Sequence, residues 1–204
     1  MLVKRVPAGV YAANCYIIID ETTKECVILD PGGDGDALVE YIKELKVEPK
    51  IILLTHGHSD HTGAVGELCS EFNITAHIHE ADNTLVENNE YMFGLSVYNG
   101  KVFKLVPDIQ ECKNTKIGNL DIKVIETPGH TPGGVCYLVE DKLFTGDTLF
   151  LRSIGRTDLA GGDYDTLISS INNKLLDLED NIIVYPGHGP SSTIGFERDN
   201  NPFL

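Results

Sequence analysis

Short hydrophobic runs alternate with polar and glycine-rich segments along the whole chain. Runs of this length, bounded by glycine, proline or aspartate, are typical of buried β-strands. The predicted strands span residues 14–20, 25–30, 50–54, 74–78, 120–126, 134–139, 142–145 and 181–185.

Helical periodicity is confined to three segments. Leu38, Tyr41, Ile42 and Leu45 repeat at three- and four-residue spacing, and residues 63–72 and 164–176 show the same period. Residues 80–100 fit neither period. Because some strands follow one another directly and others alternate with helices, we expect a mixed-sheet α/β layered fold in one domain, 1–204.

Polar residues follow several of the predicted strands at the point where each strand ends. Asp30 closes one strand, and the segment from Thr55 to His61 follows another. His130, Asp147 and His188 follow three later strands in the same way. Loops at sheet edges are where a rigid scaffold usually presents its chemistry, so we expect the site there.

The densest chemistry lies in the segment His-x-His-x-Asp-His, formed by His56, His58, Asp60 and His61. Imidazole and carboxylate groups are ligands that suit zinc, iron and manganese. His56 and His58, two residues apart, can turn toward one ion, and the pair Asp60 and His61 can turn toward a second. Two ions that share a bridging ligand lie ~3.5–4 Å apart. The alternative is a solvated histidine-rich loop without metal.

Three later residues extend this donor set. His130 lies in Pro-Gly-His-Thr-Pro-Gly, Asp147 in Gly-Asp, and His188 in Pro-Gly-His-Gly. A lone histidine beside glycine is more often a turn or capping residue than a ligand. Together with the first segment, however, these residues give five histidines and two aspartates at strand ends, which points to a metal site.

In this order the motifs resemble those of the metallo-β-lactamase superfamily. Within it, the chain resembles the short, single-domain members that are similar to glyoxalase II, the hydroxyacylglutathione hydrolases. The resemblance runs from about Asn14 to the end of the printed sequence. It implies a four-layer αββα sandwich, in which two mixed β-sheets pack face to face with helices outside.

The resemblance also implies a role for each donor. His56, His58 and His130 would bind the first ion; Asp60, His61 and His188 would bind the second; Asp147 would bridge both. Two divalent ions are expected, zinc first, with iron or manganese as alternatives. Asp30 resembles the family's buried carboxylate that accepts a hydrogen bond from a ligand histidine and so fixes its tautomer.

Two reactions fit this donor set. The first is hydrolysis of a thioester such as an S-(2-hydroxyacyl)glutathione, by attack of a metal-bridging hydroxide that Asp60 orients while also acting as a ligand. The alternative is a persulfide dioxygenase with a single iron on His56, His130 and Asp147, a two-histidine, one-carboxylate arrangement typical of non-haem iron oxygenases.

Substrate contacts are harder to predict. Arg152 and Arg156 follow Asp147 and could meet a substrate carboxylate through charge-assisted hydrogen bonds. Either could instead be a structural ion-pair partner, for instance Arg156 with Asp158 or Asp163. Longer glyoxalase II enzymes contact glutathione through a C-terminal helical region that has no counterpart after His188, so we expect a different or reduced glutathione site.

Charge and composition exclude other partners. With 16 Lys and Arg against 31 Asp and Glu, the net charge of −15 disfavours nucleic acid, and with it a nuclease. No run approaches the ~18 apolar residues of a membrane span, so we expect no membrane partner. Five scattered cysteines without a Cys-x-x-Cys pair suit a reducing compartment, so the expected location is cytoplasmic. The substrate is expected to be a small molecule, and the oligomeric state stays open.

Overall fold

Strands buried on both faces form the centre of the structure, a computed structural model that describes residues 1–87, 97, 98, 101, 102, 105–111 and 113–204. The strands, in chain order, are β1 (Leu2–Ala8), β2 (Ala13–Ile19), β3 (Glu25–Leu29), β4 (Glu48–Leu53), β5 (Ala76–His79), β6 (Val97–Tyr98), β7 (Lys101–Val102), β8 (Leu105–Ile109), β9 (Thr115–Ile117), β10 (Leu120–Glu126), β11 (Val135–Val139), β12 (Lys142–Gly146), β13 (Leu149–Phe150), β14 (Ser153–Ile154), β15 (Ile183–Pro186) and β16 (Ser192–Thr193). The helices are α1 (Gly35–Leu45), α2 (Ser59–Thr62), α3 (Val65–Phe72), α4 (Glu80–Glu87), α5 (Tyr164–Ser170), which a π-helical turn (Ile171–Leu175) extends, and α6 (Ile194–Asn200).

The strands form two six-stranded mixed sheets and two small hairpins, β6–β7 and β13–β14. The first sheet has the order β1-β2-β3-β4-β5-β8, in which β3, β4, β5 and β8 are parallel neighbours. The second has the order β16-β15-β12-β11-β10-β9, in which β12 and β15 are parallel and the other neighbours antiparallel.

Strand β2 shows how the sheets are covered. Its alternate residues Cys15 and Ile17 pack into a cluster with α1 and α3, whereas Tyr16 and Ile18 pack into a cluster shared with the second sheet. This follows from the two-residue period of a strand, which sends successive side chains to opposite faces.

A third cluster lies on the outer face of the second sheet. There Leu143 and Val184 meet Leu167 of α5, Ile171 of the π-helical turn and Ile194 of α6. The order of layers is therefore helices, sheet, sheet, helices, and the predicted αββα sandwich is confirmed. Among the described residues, no helix is long and apolar enough to cross a bilayer.

The predicted strands are confirmed with their ends shifted by one or two residues. Strand β1 was not predicted because it lies at a sheet edge, and only Ala8 of its residues is buried. The helix predicted over 63–72 begins at Val65, since the Ala64 N–H donates to Pro31 O at 2.9 Å. Of the unassigned segment 80–100, the first part forms α4, and residues 88–96, 99 and 100 lie outside the described residues.

The described cysteines, Cys15, Cys26, Cys69 and Cys136, are free thiols. Burial raises the pKa of the Cys26, Cys69 and Cys136 thiols to about 12, so they are unreactive at neutral pH. The fifth cysteine, Cys112, lies outside the described residues.

Candidate metal centre

The predicted donors converge because the strands that carry them run in matching directions. Strands β3 and β4 are parallel. Strand β10 is antiparallel to β11, which is antiparallel to β12, so β10, β12 and β15 all run the same way. The carboxyl ends within each sheet therefore lie at one edge, and all seven predicted donors lie in the segments that follow these ends.

One group of donors consists of His56, His58 and His130, whose candidate ligand atoms lie within 4.8 Å of one another. His58 Nδ1 is 3.0 Å from His130 Nε2. The other ring nitrogen of His130, Nδ1, lies 2.7 Å from Arg156 O, which can only accept. His130 Nδ1 therefore carries the proton, and in the neutral ring Nε2 presents a lone pair to this group.

A second group consists of Asp60, His61 and His188, again within 4.8 Å. His188 Nε2 is 3.1 Å from Asp60 Oδ2, and His61 Nε2 is 3.9 Å from the same oxygen. A carboxylate and two imidazoles form a donor set that divalent transition metals accept readily.

Asp147 lies between the two groups and faces both. Its Oδ1 is 3.4 Å from His61 Nε2, and its Oδ2 is 3.7 Å from His130 Nε2 and 3.8 Å from His188 Nε2. Gly187 makes this approach sterically feasible, because a Cβ at that position would lie 2.3 Å from Asp147 Oδ1. The carboxylate of Asp147 thus faces donors of both groups.

Asp30 lies behind the two groups and is buried. Its Oδ1 accepts the Thr55 N–H at 2.8 Å, and its Oδ2 accepts the Thr55 hydroxyl at 2.6 Å and His61 Nδ1 at 3.0 Å. Since the Thr55 hydroxyl donates to Asp30, its oxygen accepts from His56 Nδ1 at 3.0 Å. Asp30 therefore sets the tautomer of His61 directly and that of His56 through Thr55.

Three buried polar atoms at this centre lack a hydrogen-bond partner among the described residues. They are His56 Nε2, His61 Nε2 and Asp147 Oδ1. Buried polar atoms rarely stay unsatisfied. His56 Nε2 and Asp147 Oδ1 present lone pairs, and His61 Nε2 does so once its ring loses a proton, so a cation would satisfy all three. The donor set in this fold fits a dinuclear metal site.

Histidines of the two groups have pKa values shifted in opposite directions. Burial and the neighbouring His61 hold the pKa of His56 well below its usual value, and burial with His130 lowers that of His58 to about 4. Burial alone would lower the pKa of His61, but Asp147 and Asp30 raise it well above 6.5; the hydrogen bond to Asp60 raises that of His188.

The two carboxylates of the centre remain ionised. Burial would raise the pKa of the Asp147 carboxyl, but the neighbouring His61, His130 and His188 lower it to about 2. Burial likewise opposes ionisation of Asp60, and the hydrogen bond from His188 nevertheless holds its pKa below 3.8.

We expect metal binding near pH 7 to release protons. The pKa of His61 is raised well above 6.5, so this ring is protonated in the metal-free chain, and the pKa of His188 is raised as well. A ligand must be deprotonated before it binds. Titration calorimetry with Zn²⁺, in buffers of different ionisation enthalpy, should give roughly one to two protons released per chain, fewer as the pH is raised. Uptake of two ions without proton release would contradict this.

Sequence reasoning missed two buried residues that hold the donor loops. Asn14 contacts the loop that carries His188, and Asp82 contacts the loops that carry His56, His58 and His130. Neither residue stands in a recognisable motif, because the backbone groups that each one holds lie far away in the sequence.

The two predicted arginines have different surroundings. Arg156 makes two hydrogen bonds of 2.7 Å to the carboxylate of Asp158, so its charge is already paired. Arg152 lies at the exposed turn of the β13–β14 hairpin, where its guanidinium has no hydrogen bond or ion pair with the described residues. Phe150 of this hairpin places its ring 6.4 Å from that of His188.

Comparison with known proteins gives one family match and close relatives. Residues 8–188 match the family model described as metallo-beta-lactamase superfamily. The chain is 40% identical to hydroxyacylglutathione hydrolase GloC of Haemophilus influenzae, covering 100% of this chain and 98% of that protein. It is 38% identical to the probable metallo-hydrolase YqgX of Bacillus subtilis, covering 98% and 96%.

Solved structures show the same architecture. The BLEG-1 B3 metallo-beta-lactamase is 42% identical with a TM-score of 0.88, covering 100% of this chain and 99% of that one. TTHA1623 in a di-iron-bound form is 32% identical with a TM-score of 0.86, covering 98% and 100%. ETHE1 from Myxococcus xanthus is 28% identical with a TM-score of 0.81, covering 99% and 84%.

Proposed function

Because the chain belongs to the metallo-beta-lactamase superfamily, we propose that it is a dinuclear metal-dependent hydrolase of a thioester such as an S-(2-hydroxyacyl)glutathione. The position of Asp147 carries the proposal. Its two oxygens face donors of two separate three-residue groups, as a bridging ligand between two ions requires. The GloC relative supports the choice of thioester.

In this proposal each group holds one ion. His56, His58 and His130 would hold the first, Asp60, His61 and His188 would hold the second, and Asp147, whose two oxygens face both groups, would be shared. Zinc suits the imidazole-rich first group, while iron and manganese are alternatives, of which the di-iron form of TTHA1623 supports iron. The carboxylates of Asp30, Asp60 and Asp147 would offset much of the charge of two divalent cations.

The protein's own groups prepare this chemistry. When bound, the two ions supply an activated water and an electrophile for the thioester carbonyl. Asp60 would orient the attacking water through Oδ1, which makes no hydrogen bond to the described residues, while its Oδ2 faces His188. Asp30 keeps the protons of His56 and His61 on the side away from the ions.

Within the same proposal, Arg152 contacts a carboxylate of the substrate. Its guanidinium makes no ion pair with the described residues, and it lies on a hairpin that approaches His188 through Phe150. Arg156 serves the site through its backbone, since its carbonyl oxygen accepts the His130 proton while its guanidinium binds Asp158.

We expect Arg152→Ala to raise KM for an anionic thioester by roughly threefold to tenfold, with little change in kcat, because an exposed charge-assisted contact contributes modestly. Arg156→Ala is the matched control and should change KM less. Steady-state kinetics on S-D-lactoylglutathione and on neutral phenyl thioacetate would separate the effects. An equal rise in KM for the neutral thioester would contradict the proposed contact.

The proposed function is tested by hydrolysis of S-D-lactoylglutathione. Chelator-stripped protein should be inactive, and zinc-reloaded protein should reach a kcat/KM of roughly 10⁴ M⁻¹s⁻¹ or better. Negligible turnover by protein that holds two ions would exclude this substrate. A chromogenic β-lactam assayed in parallel tests the activity named for the BLEG-1 relative.

A persulfide dioxygenase is the second candidate, which the similarity to ETHE1 supports. It would use one iron held by His56, His130 and Asp147, with Asp60, His61 and His188 outside the reaction. Oxygen uptake by iron-loaded protein with glutathione persulfide tests it. In that case His188→Ala should retain activity, whereas the dinuclear hydrolase should lose it.

A further inference from the structure

Asp82 is a fully buried carboxylate on α4 that holds two loops of the metal centre together. Its Oδ2 accepts the N–H of Gly57 at 2.8 Å, and its Oδ1 accepts the N–H of Gly133 at 2.6 Å. Gly57 lies between His56 and His58, and Gly133 lies in the loop of His130. All three donors of the first group therefore lie on loops that Asp82 holds, although Asp82 itself belongs to no donor group.

Asn14 on β2 holds the third donor loop. Its N–H donates to Gly187 O at 2.7 Å, and its Nδ2 donates to Pro186 O at 2.9 Å and to Gly189 O at 3.0 Å. These three carbonyls belong to the residues on either side of His188. Asn14 is also buried and lies outside the donor groups.

The contacts of these two residues do not overlap. Asp82 contacts the segment that carries His56 and His58 and the loop that carries His130, whereas Asn14 contacts the loop that carries His188. Asp60 and His61 follow His58 on the same segment, but they lie on α2, where Asp30 accepts from His61 Nδ1. Other bonds maintain the fold around them, since the Val135 N–H donates to Thr55 O at 2.9 Å next to the loops that Asp82 joins. Removing either side chain should therefore disturb donor alignment, and removing Asp82 should also lower the melting temperature, because two buried N–H groups lose their acceptor.

We propose that Asp82 and Asn14 are positioning residues that each act on one half of the metal centre, Asp82 on the first donor group and Asn14 on the second. Groups that orient ligands from outside the coordination sphere typically change metal affinity by about 10–100-fold. Since Asp82 holds the backbone next to all three donors of the first group, and Asn14 holds the backbone next to His188 of the second, the loss of either should weaken one ion more than the other. The inference rests on the proposed dinuclear centre.

Metal titration of chelator-stripped variants tests the proposal. We expect Asp82→Ala to bind one Zn²⁺ as tightly as the wild type and the other about 10–100-fold more weakly, measured by calorimetry against a competing chelator. Asn14→Ala should weaken the other ion by a smaller factor, because Pro186 O still accepts the Tyr16 hydroxyl and Gly189 O still accepts Arg5 Nη1. Asp82→Asn keeps one of the two acceptor oxygens, so it should weaken the affected ion by a smaller factor. This variant replaces Asp82→Ala in the experiment if the alanine variant does not fold.

Second substitutions identify the ion that remains. Adding His188→Ala to Asp82→Ala should weaken the remaining tight ion, whereas adding His58→Ala should leave it tight. The Co²⁺ absorption spectrum of each variant gives an independent readout, because it reports the geometry of the ion that is still held.

Asp20→Asn is the matched control. Asp20 is a buried carboxylate that accepts two backbone N–H groups, from Thr22 at 2.8 Å and from Asn119 at 2.7 Å, outside the donor loops. Equal weakening of both ions in Asp82→Ala, or an equal effect of Asp20→Asn, would overturn the proposal. If the wild-type protein takes up only one ion, that result contradicts the proposed function and not the roles of Asp82 and Asn14. The affinity of that single ion in the two alanine variants would then show which of the two residues supports its binding.

Discussion

Replacing Asp147 with asparagine is expected to lower kcat/KM for thioester hydrolysis by about 10³-fold, which corresponds to about 4 kcal/mol of activation free energy. Asparagine has the same shape but keeps only one acceptor oxygen. Its amide group carries no charge, so it cannot pair with the protonated ring of His61 as the carboxylate does at 3.4 Å. The amide nitrogen also cannot bind a cation, so the bridge between the groups is lost.

For this reason the Asp147→Asn protein should lose activity without losing its fold. Its metal content should fall below two ions per chain, while the melting temperature of the stripped protein should fall only modestly, because the charge pairing of Asp147 with the protonated His61 is lost. Asp121→Asn, an exposed aspartate on β10, is the control for charge alone. A variant that keeps two ions and wild-type turnover would show that Asp147 does not bridge.

The second large effect is expected at Asp30. Asp30→Ala leaves three donors without their acceptor: the Thr55 N–H, the Thr55 hydroxyl and His61 Nδ1. Each unsatisfied buried donor costs about 1–3 kcal/mol, so the stripped protein should melt at a lower temperature. Because His56 and His61 belong to different donor groups, both ions should bind more weakly, by about 10–100-fold each.

Asp30→Asn separates the tautomer effect from the loss of packing. If its amide nitrogen occupies the Oδ2 position, it donates toward His61 Nδ1, and the ring must then carry its proton on Nε2, which blocks that atom as a ligand. We expect near-normal folding with poor metal uptake, measured by elemental analysis and circular dichroism. Normal metal uptake in both variants would show that Asp30 does not control the donor histidines.

The sequence predicts most of what positions this centre because the strands are strongly apolar and the donors follow them directly. His56 comes three residues after the last residue of β4, and Asp147 comes directly after β12. Their convergence depends on strand direction, which a mixed sheet leaves open from sequence alone. The structure supplies it through the parallel pairs β3–β4 and β12–β15.

The residues that hold the loops are harder to predict, because hydrogen bonds to backbone groups leave no pattern in the sequence. Asp82 is 25 and 51 residues away from its two partners, and Asn14 is 172 residues from Pro186. Arg156 and Asp158 are only two residues apart, so an ion pair between them could be proposed from the sequence alone.

The division of the donors between the two sheets has a consequence for the folding of the chain. Four donors, between His56 and His61, follow the first sheet, whereas His130, Asp147 and His188 follow the second. An ion that binds residues from both sheets acts as a reversible cross-link between the two halves of the polypeptide. Metal-loaded protein would then open as one cooperative unit, whereas in stripped protein either half could open locally without the other.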